Sequence, residues 1–120
     1  MTAPLAFIVE DDENLAEIFS LTLQAINFKT EVVRDGQLAL ARLAEIVPAL
    51  VVLDLNLPHA SGAEILEYIR ADERLADIRV ILATAQDRLA ESIRDKADLT
   101  LLKPVSPEQL GLLAARLRPH

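Results

Sequence analysis

The sequence predicts an α/β domain in which five parallel strands are wound with helices on both faces of the sheet. Short, continuous apolar runs recur five times, and each is followed by a stretch of helical period. The runs do not alternate apolar with polar, so they suit strands covered on both faces. Four of them stop abruptly on a carboxylate, a hydroxyl or an ammonium. In open α/β sheets that carboxyl end is where ligands bind.

The first run, Leu5-Ala6-Phe7-Ile8-Val9, ends in Glu10-Asp11-Asp12-Glu13. From Asn14 onward Leu15, Ile18, Phe19, Thr22, Ala25 and Ile26 fall at helical spacing. Carboxylates suit a helix N-terminus, which accounts for Asp12 and Glu13. It does not account for Glu10 and Asp11, at the strand end. Thr30 to Val33 reads as the second strand. Asp35-Gly36 gives a turn and cap, and Leu38, Ala41, Ala44 and Val47 mark the next helix face, closed by Pro48.

Leu50-Val51-Val52-Leu53-Asp54 is the central strand, and Asn56, Pro58 and Gly62 place a loop behind it. Ser61-Gly62-Ala63-Glu64 is a capping box, and Ile65, Leu66 and Ile69 stripe the third helix. Arg70 to Asp77 is a polar connection. Arg79 to Ala83 forms the fourth strand, running out into Thr84-Ala85, and a weakly patterned helix follows through Leu89, Ile93 and Ala97. Leu99 to Leu102 is the fifth strand, stopped by Lys103-Pro104. Ser106-Pro107-Glu108-Gln109 is a second capping box with proline at the first helical position. Leu110, Leu113, Ala114 and Leu117 carry the last helix.

Strands alternating with helices imply right-handed crossovers, and the expected strand order is 2-1-3-4-5, the flavodoxin-like winding. That order brings Glu10, Asp11, Asp54, Thr84 and Lys103 to one edge of the sheet. Carboxylates so placed repel one another unless a cation sits among them, and a hard divalent ion such as Mg²⁺ suits carboxylates, a carbonyl, water and phosphate oxygens. An ammonium and a hydroxyl facing the same Asp would neutralise and hydrogen-bond a phosphoryl group placed on it. The chemistry implied is acyl-phosphate formation on Asp54.

Composition narrows the classes. At 120 residues the chain reads as one domain, residues 1–120, without linker or repeat. A formal charge of −7 argues against direct nucleic-acid binding, and the scarcity of aromatics (Phe7, Phe19, Phe28, Tyr68) against base stacking. There is no cysteine, and neither a signal peptide nor an apolar run of transmembrane length, so a soluble cytoplasmic protein is the expectation.

Ile8-Val9-Glu10-Asp11-Asp12, Val52-Leu53-Asp54-Leu55-Asn56-Leu57-Pro58 with Gly62, Ala83-Thr84-Ala85 and Lys103-Pro104 together resemble the receiver domain of two-component response regulators, the CheY-like family, over the whole chain. The resemblance implies that Asp54 accepts a phosphoryl group from a sensor histidine kinase or a histidine phosphotransfer protein. It implies that Asp11, Asp54 and the Asn56 backbone carbonyl ligate Mg²⁺, with Glu10 acting through water. Thr84, Lys103 and the backbone N–H groups of Asn56 and Ala85 would bind phosphoryl oxygens, and the Lys103–Pro104 bond would be cis. Such a domain is not an enzyme beyond Mg²⁺-dependent self-phosphorylation and autodephosphorylation. A downstream effector protein or a second copy would be its output partner.

Two features depart from the family pattern. Thr100 stands where members carry an aromatic residue that swings inward on activation, and the stretch from Thr84 to Lys103 is shorter than usual and lacks the customary Gly-Ala. A divergent receiver acting as a phosphorylation-independent docking module is therefore the alternative. An aspartate-nucleophile hydrolase is disfavoured because Asp54-Leu55-Asn56 lacks a second Asp, and a flavin-binding protein because no Gly-rich phosphate loop follows the first strand.

Overall fold

The computed structural model describes residues 3–57, 59–85, 91 and 93–119. Five strands, β1 (Leu5–Val9), β2 (Lys29–Val33), β3 (Leu50–Asp54), β4 (Arg79–Thr84) and β5 (Leu99–Leu102), form one parallel sheet. Their order is β2-β1-β3-β4-β5, as the alternation of elements predicts. Among the described residues the full helices are α1 (Glu13–Gln24), α2 (Gly36–Leu43), α3 (Gly62–Ala71) and α4 (Pro107–Leu117).

The sheet divides the core in two. Phe7, Val9, Val51, Leu53, Val80 and Leu82 face α2 and α3, meeting Leu43, Ile65 and Ile69. Ala6, Ile8, Leu50, Val52, Ile81 and Leu101 face α1 and α4, meeting Phe19, Leu23, Leu110 and Ala114. Every residue of β3 is buried, which is why its sequence reads as an unbroken apolar run before Asp54.

Local signals set the helix starts. Asp12, Asp35, Ser61 and Ser106 each accept a hydrogen bond from a backbone N–H of the first helical turn. Both predicted capping residues, Ser61 and Ser106, do so from the N–H three residues on. The faces of two helices differ from expectation. In α1 the buried residues are Ala16, Phe19 and Leu23, while Ile18 is exposed. In α2 they are Gly36, Ala39 and Leu43, while Leu38 and Val47 are exposed. Apolar residues surround α2 almost completely, so periodicity alone leaves its rotation open. Contact settles it: a Cβ on Gly36 would lie 2.0 Å from the Ala60 carbonyl oxygen, so only glycine lets α2 seat there. Helix α2 also ends at Leu43, before the Pro48 expected to close it.

The helix expected through Leu89 and Ile93 lies mainly outside the described residues. Arg94–Lys96 is a single 3₁₀ turn with Ala97 as its extended C-terminal cap. That turn is braced from α3. Arg70 donates to the carbonyls of Lys96, Ala76 and Ile78 and to the Asp98 carboxylate, which also accepts from Arg79 and the Val80 N–H. Among the described residues no helix is long and apolar enough to cross a membrane.

Candidate functional site

Parallel register places the functional side chains at one sheet edge. Asp54 is the last residue of β3 and pairs with Ala83, putting Thr84 one step further along β4. Thr84 pairs with Leu102, and Lys103 follows at once, its N–H donating to the Thr84 carbonyl at 2.9 Å. Glu10 follows β1, and its N–H donates to Val33 O at 3.1 Å. Glu10, Asp54 and Thr84 are the buried polar residues of the molecule among those described.

Lys103 holds the centre. Its Nζ lies 3.1 Å from Asp54 Oδ2 and 3.3 Å from Glu10 Oε1. Burial pulls the ammonium pKa down, but the hydrogen bond to Asp54 and the charges of Asp54 and Glu10 outweigh it, and the net shift is upward. Asp54 Oδ1 accepts the Asn56 N–H at 3.1 Å, so both carboxylate oxygens are oriented. Burial pushes the Glu10 carboxyl up to about 7, against the Asp12 N–H bond that favours its charged form; the neighbouring Asp54 charge adds to the rise.

A carboxylate oxygen each from Glu10, Asp11 and Asp54 gathers within 4.8 Å. Asp11 is exposed, and the other two are buried. Glu10 Oε1 is buried and accepts no hydrogen bond, although Lys103 faces it. An all-oxygen donor set of this kind, with an ammonium already neutralising part of its charge, suits a hard divalent cation such as Mg²⁺. The sequence-predicted residues Glu10, Asp11, Asp54, Thr84 and Lys103 thus stand at one edge, with the Asn56 peptide beside them. The Lys103–Pro104 peptide is cis.

One supporting residue carries no sequence signal, and a second is marked in the sequence only as a motif position. Arg34 donates from Nη2 to the Asp11 carbonyl at 3.1 Å, and nothing in the sequence near it signals that reach. Gly62 belongs to the quoted motif, but its reason is steric: a Cβ there would lie 2.4 Å from the Asp54 carbonyl oxygen and 2.7 Å from Leu55 Cα. Thr100, by contrast, is apart from the site. It lines a groove with Arg94, Ala97, Leu99 and Leu102, and its hydroxyl is buried without a hydrogen-bond partner among the described residues.

A doubly wound parallel sheet thus gathers three carboxylates, one of them the buried Asp54, and a bridging Lys at its carboxyl edge. The chain belongs to the response regulator receiver domain family, whose model matches residues 6–115. It is similar to the DNA-binding response regulator MtrA of Mycobacterium tuberculosis strain H37Rv, 34% identical over 112 residues, covering 92% of this chain and 49% of that protein. The phosphate regulon transcriptional regulatory protein PhoB of Rhizobium meliloti is 33% identical over 119 residues, covering 96% of this chain and 52% of that protein. The chain spans about half the length of these relatives. Among solved structures, the signal receiver domain of a signal transduction histidine kinase from Syntrophus aciditrophicus superposes with a TM-score of 0.85 at 29% identity, covering 96% of this chain and 89% of that one. The chemotaxis response regulator CheY4 of Vibrio cholerae matches in fold with a TM-score of 0.88 at 24% identity, covering 97% and 99% of the two chains. The chain is a receiver domain of phosphorylation-based two-component signalling.

Proposed function

We propose that Asp54 is the phosphoacceptor, taking a phosphoryl group from the phosphohistidine of a sensor histidine kinase or a histidine phosphotransfer protein. The observation that carries this reading is the Lys103 ammonium 3.1 Å from a carboxylate that is 2% exposed at the end of β3. A carboxylate oxygen attacks phosphorus, the donor's P–N bond breaks, and the imidazole leaves. Lys103, held between Glu10 and Asp54, then pairs with a phosphoryl oxygen in place of the carboxylate oxygen it now faces. Thr84 offers its hydroxyl from the next strand, and the Asn56 N–H, now on Asp54 Oδ1, is placed to turn toward the new oxygens.

Asp11, Asp54 and the Asn56 carbonyl are the residues that would hold Mg²⁺ directly, with Glu10 through water. Bound there, the ion would neutralise charge on the transferring group. Small phosphodonors would load the same Asp54, and hydrolysis would reset it; no other catalysis is assigned. Output runs through an effector protein or a second copy in the cytoplasm, not through nucleic acid gripped by this domain, whose charge is −7. Thr100 has no ring to bury, so the response concentrates in the segment that follows Thr84 and not at β5.

The test is intact-mass analysis after acetyl phosphate and Mg²⁺. Wild type gains one phosphoryl group and Asp54→Asn gains none. Undiminished labelling of that variant would falsify the assignment.

A further inference from the structure

The loop between β3 and α3 carries Asn56, yet its conformation is set partly from outside. Within the loop, Leu55 is buried, its N–H donates to Ala83 O, and the Gly62 N–H closes the loop onto Leu55 O. Those bonds fix the two ends. A third anchor comes from α2. Ala60 is 4% exposed, its carbonyl pressed against Gly36, and next to it His59 sits at φ 71°, the left-handed region. A non-glycine residue rarely rests there without compensation, although histidine tolerates it better than most. The compensation is visible: His59 Nδ1 meets Asp35 Oδ2. Asp35 Oδ1 meanwhile accepts the N–H groups of Gln37 and Leu38 as the N-cap of α2. One carboxylate therefore serves both ends, capping a helix with one oxygen and tethering the loop with the other. The hydrogen bond from His59 also holds the Asp35 carboxyl below its usual range.

We infer that His59 and Asp35 are a positioning pair for the phosphorylation site: their tie docks the loop on α2 and thereby fixes the Asn56 peptide for Mg²⁺. The inference rests on the metal role proposed above for that peptide. Neither residue touches the reacting atoms. With the tie cut, the loop keeps its end bonds, but His59 and Ala60 lose their outer anchor on α2, and the Asn56 carbonyl is no longer presented in one orientation. Outer partners of metal ligands act in this way.

A double-mutant cycle read on Mg²⁺ affinity tests the pair. Asp35→Ser keeps a capping oxygen but removes the carboxylate. His59→Asn keeps a residue that tolerates positive φ but removes the imidazole. Calorimetric Mg²⁺ titration of each should show binding weakened by about tenfold, the low end for loss of an outer-shell partner. The double variant should be no weaker than either single one. His59→Gly, which relieves the backbone fully, should lose as much as His59→Asn, and all four should keep melting temperatures near wild type without Mg²⁺. Unchanged affinity in the single variants, losses that multiply in the double, or recovery in His59→Gly would each overturn the pair. Absence of Mg²⁺ binding by the wild type would instead overturn the metal reading, and this inference with it.

Discussion

Lys103 Nζ stands 3.1 Å from Asp54 Oδ2, with Glu10 Oε1 3.3 Å away on the same ammonium. One cation thus answers two carboxylates that are each 2% exposed. Removing one partner of a buried pair leaves the other charge uncompensated, at about 3–5 kcal/mol. Lys103→Met should therefore destabilise the metal-free protein by about 3 kcal/mol in urea unfolding. Mg²⁺ should restore part of that loss, because the ion takes over the neutralising role, so the variant's Mg²⁺-induced gain should exceed the wild type's. An equal gain in both proteins would separate the metal from the Lys103 site.

Glu10 sets a pH dependence. Its pKa rises from 4.5 to about 7 on folding, so the folded chain holds a proton that the unfolded chain has released. Below about 4.5 both states are protonated and the group contributes nothing. Between 4.5 and 7 the folded state binds more protons, so metal-free stability falls as pH rises, by up to about 3 kcal/mol in all. A bound cation needs the ionised form, so the Mg²⁺-induced rise in melting temperature should grow from about pH 6 to about pH 8. Glu10→Gln should flatten the metal-free profile across that window. The same slope in the variant would assign the proton to another group.

Two of the three glycines, Gly62 and Gly111, give a contrasting steric prediction. Gly62→Ala drives a methyl into the backbone of Asp54 and Leu55, which cannot swing aside, and should cost about 2–3 kcal/mol. Because the clash falls on the Asp54 peptide itself, labelling by acetyl phosphate should slow in the same variant. Gly111→Ala meets only Thr22 Cγ2 at 3.4 Å, an ordinary contact, inside α4. Helix propensity should then raise stability by about 0.5–1 kcal/mol. Chemical denaturation of both variants reads the contrast, and equal effects would refute it.

Thr100 should be replaceable at a gain. Its hydroxyl is buried with no hydrogen-bond partner among the described residues, and leaving such a group unsatisfied costs about 1–3 kcal/mol. Thr100→Val keeps the shape and deletes the orphan, so unfolding should shift to higher denaturant by about 1 kcal/mol. Destabilisation would mean that the hydroxyl finds a partner in solution.

The sheet was readable because each strand carries its own evidence. Runs such as Leu50–Leu53 are too apolar and too short for anything but doubly covered strands, and parallel register then aligns their ends without further information. Asp54, Thr84 and Lys103 followed from that alignment. Helix rotation was less legible. Leu38 and Val47 looked like a core face of α2, but the face is chosen by Gly36 against Ala60, a contact between residues 24 apart. Long-range tethers were not legible at all: Arg34 to Asp11, Arg70 to Asp98 and Asp35 to His59 join residues that share no local pattern.

The Arg70 brace has a consequence for how this molecule tolerates change. It ties the C-terminal end of α3 to the entry to β5 at the amino edge of the sheet, and the site lies at the carboxyl edge, some five residues or about 16 Å along the strands. Sites that far apart, with no shared partners, contribute independently to stability. Substitutions that tighten the Arg70–Asp98 cluster can thus offset losses incurred at Lys103 or Gly62 without entering the chemistry. Variation at the amino edge then acts as a reserve, against which the acidic edge is free to drift in metal affinity and phosphoryl lifetime while the fold stays above its threshold.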